Sequence, residues 1–348
     1  MKNHIKDLSR RKFIGTSATF VAGAAISGPS LFAAQSMVKS YTKPSSIING
    51  VQIGVITYSF RSMPDQSAEA TLKYILDCGI SAIELMGDPA ETYAGKPENN
   101  LDRRRYFTLM RSQRNGDVLS DEQLKELSEL QQEMAAYNKV IALWRSTVSM
   151  DKFAELRKMY NDAGVSIYAF KPRAFGKENT DEEIDWGIRA AKTLGASHVT
   201  LEHPGDDAYT QKLGDMAAKH GIYVAYHGHE QQTPTFWDNA LKQSKNNGLN
   251  LDLGHYVAAG NDDPLGIIKS KHSRILSMHV KDRQSPEDGK GNLPWGTGDT
   301  PIAQALQLIR DNNYKFPATI ELEYDIPEGS NAIEEVRKCL KYCEKSLV

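Results

Sequence analysis

From residue 50 onward, short apolar runs alternate with longer segments whose apolar residues recur every three or four positions. The short runs read as strands: VQIGVITYSF (51–60), SAIEL (81–85), VSIYAF (165–170), HVTLE (198–202), IYVAYH (222–227), LNLD (249–252), ILSMHV (275–280) and ATIELE (318–323). The longer segments read as helices over 68–79, 151–163, 181–193, 207–219, 235–245, 264–270, 300–311 and 331–345. Gly79, Gly164, Gly195 and Gly221 follow helix ends, where glycine commonly stops a helix. One stretch, about 87–150, breaks the rhythm and holds no clear strand. Within it, LSDEQLKELSELQQEMAAYNKV predicts a strong helix, with Ser120 as N-cap and Gln123 completing a capping box. Thr180 reads as the cap of the helix at 181–193. Eight strand–helix units in about 300 residues predict an α/β fold, a (β/α)8 TIM barrel with a helical insertion after strand 2. The alternative, a doubly wound open sheet, is disfavoured because no glycine-rich phosphate loop follows the first strand.

The strand ends carry the candidate chemistry. Five consecutive strands, the fourth to the eighth, finish in Glu, His or Asp. In a barrel such ends converge on the axis, so Glu202, Asp252, His279 and Glu321 form a candidate ligand set. Mixed oxygen and nitrogen donors suit a divalent metal; manganese is favoured, with magnesium, cobalt or zinc as alternatives. Residues i and i+2 of a strand share a face, so Glu323 points inward with Glu321, and His227 with His229. His255, Lys281 and Asp282 lie beside the same strand ends. A lone strand-end carboxylate more often caps a helix or meets a surface lysine. Successive strands tipped in this way make the shared site the stronger reading. Lys281 and Asp282 also read as a surface ion pair, and His198, His220 and His272 as exposed or helix-end residues. Trp295, in the PWGTGD loop after strand 7, is placed either on a sugar ring or beneath its own loop. The insertion carries Arg103, Arg104, Arg105, Tyr106, Arg111 and Arg114, which suit a lid over the site, a dimer contact or a solvated helix face.

AIEL at strand 2, YHGHE at strand 5, LDLGH at strand 6, HVKD at strand 7 and IELE at strand 8 together resemble the xylose isomerase-like barrel superfamily of sugar isomerases and epimerases. The resemblance covers roughly residues 50–345. It implies a metal set of Glu202, Asp252, His279 and Glu321; His255, Trp295 and Glu84 are the candidate substrate contacts. It also implies proton abstraction beside a carbonyl, through an enediolate. Glu202, Glu321 and Glu323 are then the carboxylate acid–base candidates, and His227, His229 and Lys281 the groups that polarise the carbonyl or protonate a leaving oxygen. Strand 5 departs from the epimerase pattern by carrying His227 and His229 in place of Glu, which resembles the inosose dehydratase branch. The expected activity is sugar isomerisation or epimerisation, with a 3-keto-glycoside lyase or dehydratase as the alternative on the same scaffold. A non-enzymatic sugar-binding barrel is the competing reading, and it needs no flanking acid–base groups.

Composition narrows the setting. The chain has 348 residues, 40% hydrophobic and 25% charged, which suits one large domain over 51–348. Residues 1–34 place Arg10-Arg11 before a weakly apolar stretch, the pattern of a twin-arginine export signal, followed by a polar linker over 35–50. No cysteine follows that stretch, so no lipid anchor is expected, and the expected location is the periplasm. Removing residues 1–34, with five basic residues and one acid, takes the net charge from −2 to −6. That charge argues against a nucleic-acid partner. The expected partner is a small unphosphorylated sugar, and a homo-oligomer is compatible with the sequence. Three cysteines (Cys78, Cys339 and Cys343) without a CxxC motif make neither a disulfide scaffold nor a cysteine zinc site.

Overall fold

The computed structural model describes residues 43–348; the expected export signal over 1–34 and the first part of the linker lie outside the described residues. Eight parallel strands run β1 Val51–Ile56, β2 Ala82–Met86, β3 Ser166–Lys171, β4 His198–Glu202, β5 Tyr223–His227, β6 Asn247–Asp252, β7 Ile275–Val280 and β8 Ala318–Ile320. Each pairs with its sequence neighbour, and β8 pairs in parallel with β1, so the sheet closes into a barrel. Helices α1 Ala68–Cys78, α5 Asp151–Asp162, α6 Asp181–Leu194, α7 Asp207–His220, α11 Ile302–Asp311 and α12 Ala332–Ser346 cover the outside. Shorter helices α8 Asp238–Gln243, α9 Leu253–Ala258 and α10 Pro264–Lys271 complete the ring. No helix of the described residues is long and apolar enough to cross a membrane.

Between β2 and the helix leading to β3 stand three helices: α2 Gly87–Tyr93, α3 Arg103–Asn115 and α4 Asp121–Thr147. Ser120 and Gln123 form the expected capping box on α4, and Thr180 forms one with Glu183 on α6. Only Leu127, Ile141 and Arg145 of α4 are buried, so most of this long helix faces solvent. Arg145 docks it to the barrel by donating to Glu183 Oε1 at 2.8 Å and to the Arg173 carbonyl at 2.9 Å. Its guanidinium lies 5.0 Å over the buried Trp186 ring, against which Trp144 and Phe153 pack edge-on. Trp186→Ala removes the shared contact of the insertion, α5 and α6. It is expected to cost about 3–5 kcal/mol, read as a lower denaturant midpoint at unchanged slope.

Two strands are shorter than the sequence pattern suggests. The run at 51–60 leaves the sheet at Ile56, and Thr57–Phe60 coils into a 3-10 turn. The run at 318–323 stops at Ile320, because Leu322 donates its N–H to the Ser59 hydroxyl of that turn at 3.0 Å, not to a strand carbonyl. At the opposite end of the barrel, Ser46 in the expected linker is buried. Its hydroxyl donates to the Ile53 carbonyl at 2.6 Å and accepts from Ser81 N–H at 3.0 Å.

The barrel axis is polar rather than filled with aliphatic side chains. Tyr168 and Thr319 share a hydrogen bond of 2.8 Å low in the interior. Above them, His198 bonds Ser277 at 3.0 Å and Asn250 donates to Ser277 at 2.7 Å. His198, expected among exposed or helix-end residues, is therefore fully buried, and desolvation pushes its imidazole down to about 4. His220 does sit at a helix end, 2.7 Å from Asp185, and His272 stacks on Tyr314.

Candidate active site

The polar column ends at the C-terminal rim in a cluster of histidines and carboxylates. The pleat explains who takes part: His198, Thr200 and Glu202 share one face of β4, as do Asn250 and Asp252 on β6 and Ser277 and His279 on β7. At the base lies Glu84, fully buried, its oxygens taken by Thr200 at 2.6 Å, Asn250 at 3.2 Å and His279 Nε2 at 2.8 Å. Burial opposes its charge, but His279, Lys171 and Thr200 outweigh that and bring it down to about 2. The expected substrate role of Glu84 is therefore displaced. No face of it reaches the cavity, and it acts by holding His279.

His279 sits between two carboxylates, Nε2 toward Glu84 and Nδ1 toward Glu321 at 2.9 Å. Burial alone would lower its pKa, yet Glu321 and Glu84 raise it to about 10. A proton therefore fills the gap between Nδ1 and Glu321. His227 is the opposite case. Asn250 donates its amide N–H groups to Glu84 and Ser277, so its oxygen accepts from His227 Nδ1 at 2.6 Å. That leaves a lone pair on His227 Nε2. Desolvation, aided by Lys171, drives this imidazole down to about 3 and keeps it neutral.

Asp252 caps α9 through Oδ1, which accepts from His255 N–H at 2.7 Å. Its buried Oδ2 has no hydrogen-bond partner among the described residues; Lys281 Nζ lies 2.9 Å away but off the hydrogen-bonding direction. Ligand atoms of His227, Asp252 and His279 all lie within 4.8 Å of one another, and Glu321 touches His279. An orphaned carboxylate oxygen, a neutral imidazole lone pair and a carboxylate–histidine pair backed by Glu84 fit a divalent ion.

The geometry separates the other expected residues. Lys281 is buried and donates to Glu321 at 2.8 Å and Glu323 at 2.7 Å; these acids and Asp252 hold it firmly charged against the cost of burial. It forms no pair with Asp282, whose carboxylate instead accepts the backbone N–H groups of Gly296, Thr297 and Gly298. A side chain on Gly254 would meet Lys281 at 2.5 Å, so the glycine of LDLGH lets α9 close over that lysine. Glu321 is buried against His279, while Glu323 is half-buried one pleat farther out. Arg283 donates to His255 Nδ1, so the proton of this neutral imidazole resides on Nε2, which points at no partner among the described residues. Desolvation and the cations Lys281 and Arg283 hold His255 at about 2. It is thus a hydrogen-bond donor rather than a ligand.

Glu202 does not join the clustered ligand atoms. It stands above the rim, exposed, accepting from Lys171 at 3.0 Å and paired with His229 Nε2 at 2.9 Å. Desolvation opposes its charge, but His229, His227 and Lys171 pull its pKa far below the ordinary carboxylate range. The same contact raises His229. Because the ionised carboxylate only accepts, His229 carries its proton on Nε2 and keeps a free lone pair on Nδ1. Glu202, His229, Glu321 and Glu323 line one cavity of about 640 Å³ together with Tyr58 and Met86. Trp295 lies elsewhere, edge-on to Tyr342 at 5.9 Å in a separate depression, so it does not stack on a ligand in this cavity. Lys171, Asn250, Thr200 and Arg283 escape sequence reading, because none is a metal-ligand type at a strand tip; the polar Asn250 inside the apolar LNLD run is the one visible signal.

Residues 132–343 match the family model described as xylose isomerase-like TIM barrel. The inosose dehydratase of Lactiplantibacillus plantarum is 29% identical over 156 residues, 39% of this chain and 51% of that protein, so the chain spans about half the length of the curated relatives it matches. Among solved structures, the 3-keto-D-glucoside 4-epimerase from E. coli aligns with a TM-score of 0.55 at 10% identity, over 85% of this chain and 99% of that one. The IolI protein with a binding zinc atom aligns with a TM-score of 0.53 at 15% identity, over 85% and 98%. At these identities the two structures speak for the fold.

Proposed function

The chain belongs to the xylose isomerase-like TIM-barrel family, and from that premise we propose that it is a divalent-metal-dependent enzyme that removes the α-proton of an unphosphorylated sugar or keto-sugar. The observation that carries this is the buried Asp252 Oδ2, which accepts no hydrogen bond from a described residue though Lys281 lies 2.9 Å away, beside the lone pair of His227 and the carboxylate-backed His279. We assign the metal to His227, Asp252, His279 and Glu321, with His227 in the place expected for Glu202. When bound, the ion supplies Lewis acidity to a carbonyl oxygen and the neighbouring hydroxyl. Manganese or another first-row divalent ion suits the two imidazoles and two carboxylates.

The chain's own groups handle the proton. Glu202 is too weak a base for the task, because its partners hold its pKa so low. It instead orients His229, and their hydrogen bond raises the pKa of that imidazole above its ordinary value. Neutral His229 accepts the α-proton on Nδ1, and the imidazolium then returns it. Glu323, braced by Lys281, faces the same cavity from the segment just after β8, three strands around the barrel from β5, which His229 follows. His255 offers its Nε2–H to a substrate oxygen. Return of the proton to the adjacent carbon gives isomerisation, and its delivery to the opposite face from Glu323 gives epimerisation. Delivery to a departing β-oxygen gives dehydration, or lyase cleavage of a 3-keto-glycoside. The dehydratase relatives and the histidine pair at the end of β5, His227 and His229, favour this last outcome as the second reading. The Arg10-Arg11 segment supports a periplasmic site of action, where sugar phosphates are not expected.

Metal analysis of the purified protein tests the reading: one divalent ion per chain is expected, and a metal-free protein that still turns over sugar would refute it. Glu84→Gln keeps the shape but weakens the acceptor behind His279. It is expected to weaken metal binding about 10–100-fold, measured by competition with a chelating dye.

A further inference from the structure

The helical insertion and the loop after β3 enclose a second cavity of about 480 Å³. It adjoins the first. Arg173 lines both, and in the same loop Gly176 and Lys177 face the first cavity while Glu178, Asn179 and Thr180 face the second. Met86 borders the first, and Asp88 and Glu91, just beyond it, border the second. These two short chain segments therefore run between the cavities, both of which Arg173 borders. Arg145 pins the loop after β3 to the insertion through the Arg173 carbonyl and Glu183.

The second cavity has a defined set of free groups. Three of its four acids are engaged, since Lys96 binds Asp88 and Glu91 and Arg145 binds Glu183, while Glu178 adds an acceptor. The side chains of Arg103 and Arg173 make no hydrogen bond or ion pair with any described residue, and the Tyr106 hydroxyl has no hydrogen-bond partner among them. Tyr106 and Phe107 add rings from α3, packed edge to face at 5.2 Å, with the Arg103 guanidinium 6.0 Å over Phe107, which is still 49% exposed. Apolar ring faces flanked by unengaged donors complement a pyranose, which offers an apolar C–H face and a rim of hydroxyls.

We infer that the insertion forms a second sugar subsite, so that the substrate is a two-ring glycoside. Its reacting ring lies in the first cavity and its second ring against Tyr106, Phe107 and Arg103, with Arg173 at the linkage. This rests on the enolisation reading of the first cavity for which ring reacts, but the binding itself is tested without turnover. The probes are cellobiose and maltose, a β- and an α-linked pair that lack the keto group, examined by saturation-transfer NMR with the metal-loaded full chain. Transfer to protons of both rings is expected for at least one of them. In a Tyr106→Ala, Arg103→Ala variant the second-ring signal should be lost while the first-ring signal persists, which also reports that the variant is folded. Transfer confined to one ring, an unchanged second-ring signal in the variant, or no transfer from either disaccharide would overturn the subsite. Failure of a one-ring keto-sugar to exchange its α-proton would instead strike the enolisation reading, and the two results are independent.

Discussion

Asp252→Asn and His227→Ala should each purify without stoichiometric divalent metal, whereas Glu202→Gln should retain it. The contrast follows from height along the strands. Asp252 Oδ2, His227 Nε2 and the His279 nitrogens converge inside the rim, while Glu202 stands above it in the grip of Lys171 and His229. Loss of a ligand atom is expected to weaken binding by more than about 100-fold, beyond the effect of changing a group behind a ligand. Metal uptake should also release a proton. In the cation-free protein His279 carries one on each nitrogen, with a pKa of about 10, and Nδ1 must give its proton up to bind. Affinity should therefore rise with pH across the neutral range. Calorimetry in buffers of different ionisation enthalpy measures this, and an identical heat in every buffer would contradict the proton count.

His229→Gln should keep the metal yet lose about 10²–10⁴-fold in the rate of α-proton exchange, the usual contribution of a positioned acid–base group. The pH profile gives the finer test. Only neutral His229 accepts the α-proton, so the rate climbs as pH rises through its pKa. Glu202 holds that pKa above its ordinary value, chiefly through their hydrogen bond. In Glu202→Gln the support is removed, the pKa falls, and the acidic limb of the profile should move to lower pH while the plateau drops. A limb that stays in place would mean that another group is the base, with Glu323 the next candidate.

How far the sequence carried these conclusions can be traced residue by residue. The alternation of apolar runs located all eight strands, and the capping boxes at Ser120 and Thr180 located two helix starts, because both signals are local. Asp252, His279 and Glu321 were legible as tips of successive strands. His227 as the ligand we propose in the place of Glu202 was not, since a strand pattern gives the face of a residue but not its height above the barrel rim. Nor were protonation states: His227 and His279 are the same residue type, yet a neutral amide beside one and two carboxylates beside the other set them at opposite extremes. Those neighbours come from other strands, Glu84 from one 195 residues away in the chain. Glu84 looked like a substrate contact because its depth depends on closure of the whole sheet. Trp295 stayed open between a stacking platform and a place beneath its own loop, because nothing local shows that Asp282 gathers the N–H groups of residues 296–298 or that the indole packs on Tyr342.

The most direct measurement is solvent deuterium exchange. Incubating the protein with a one-ring keto-sugar in D₂O, with and without prior chelation, and following the α-carbon proton by NMR reads metal dependence and proton abstraction in one assay. Loss of the α-proton signal with the metal-loaded protein, abolished by chelation and restored by adding back a divalent ion, is the expected result. Exchange that survives chelation, or metal-loaded protein that leaves the α-proton of every keto-sugar tested in place, would contradict it.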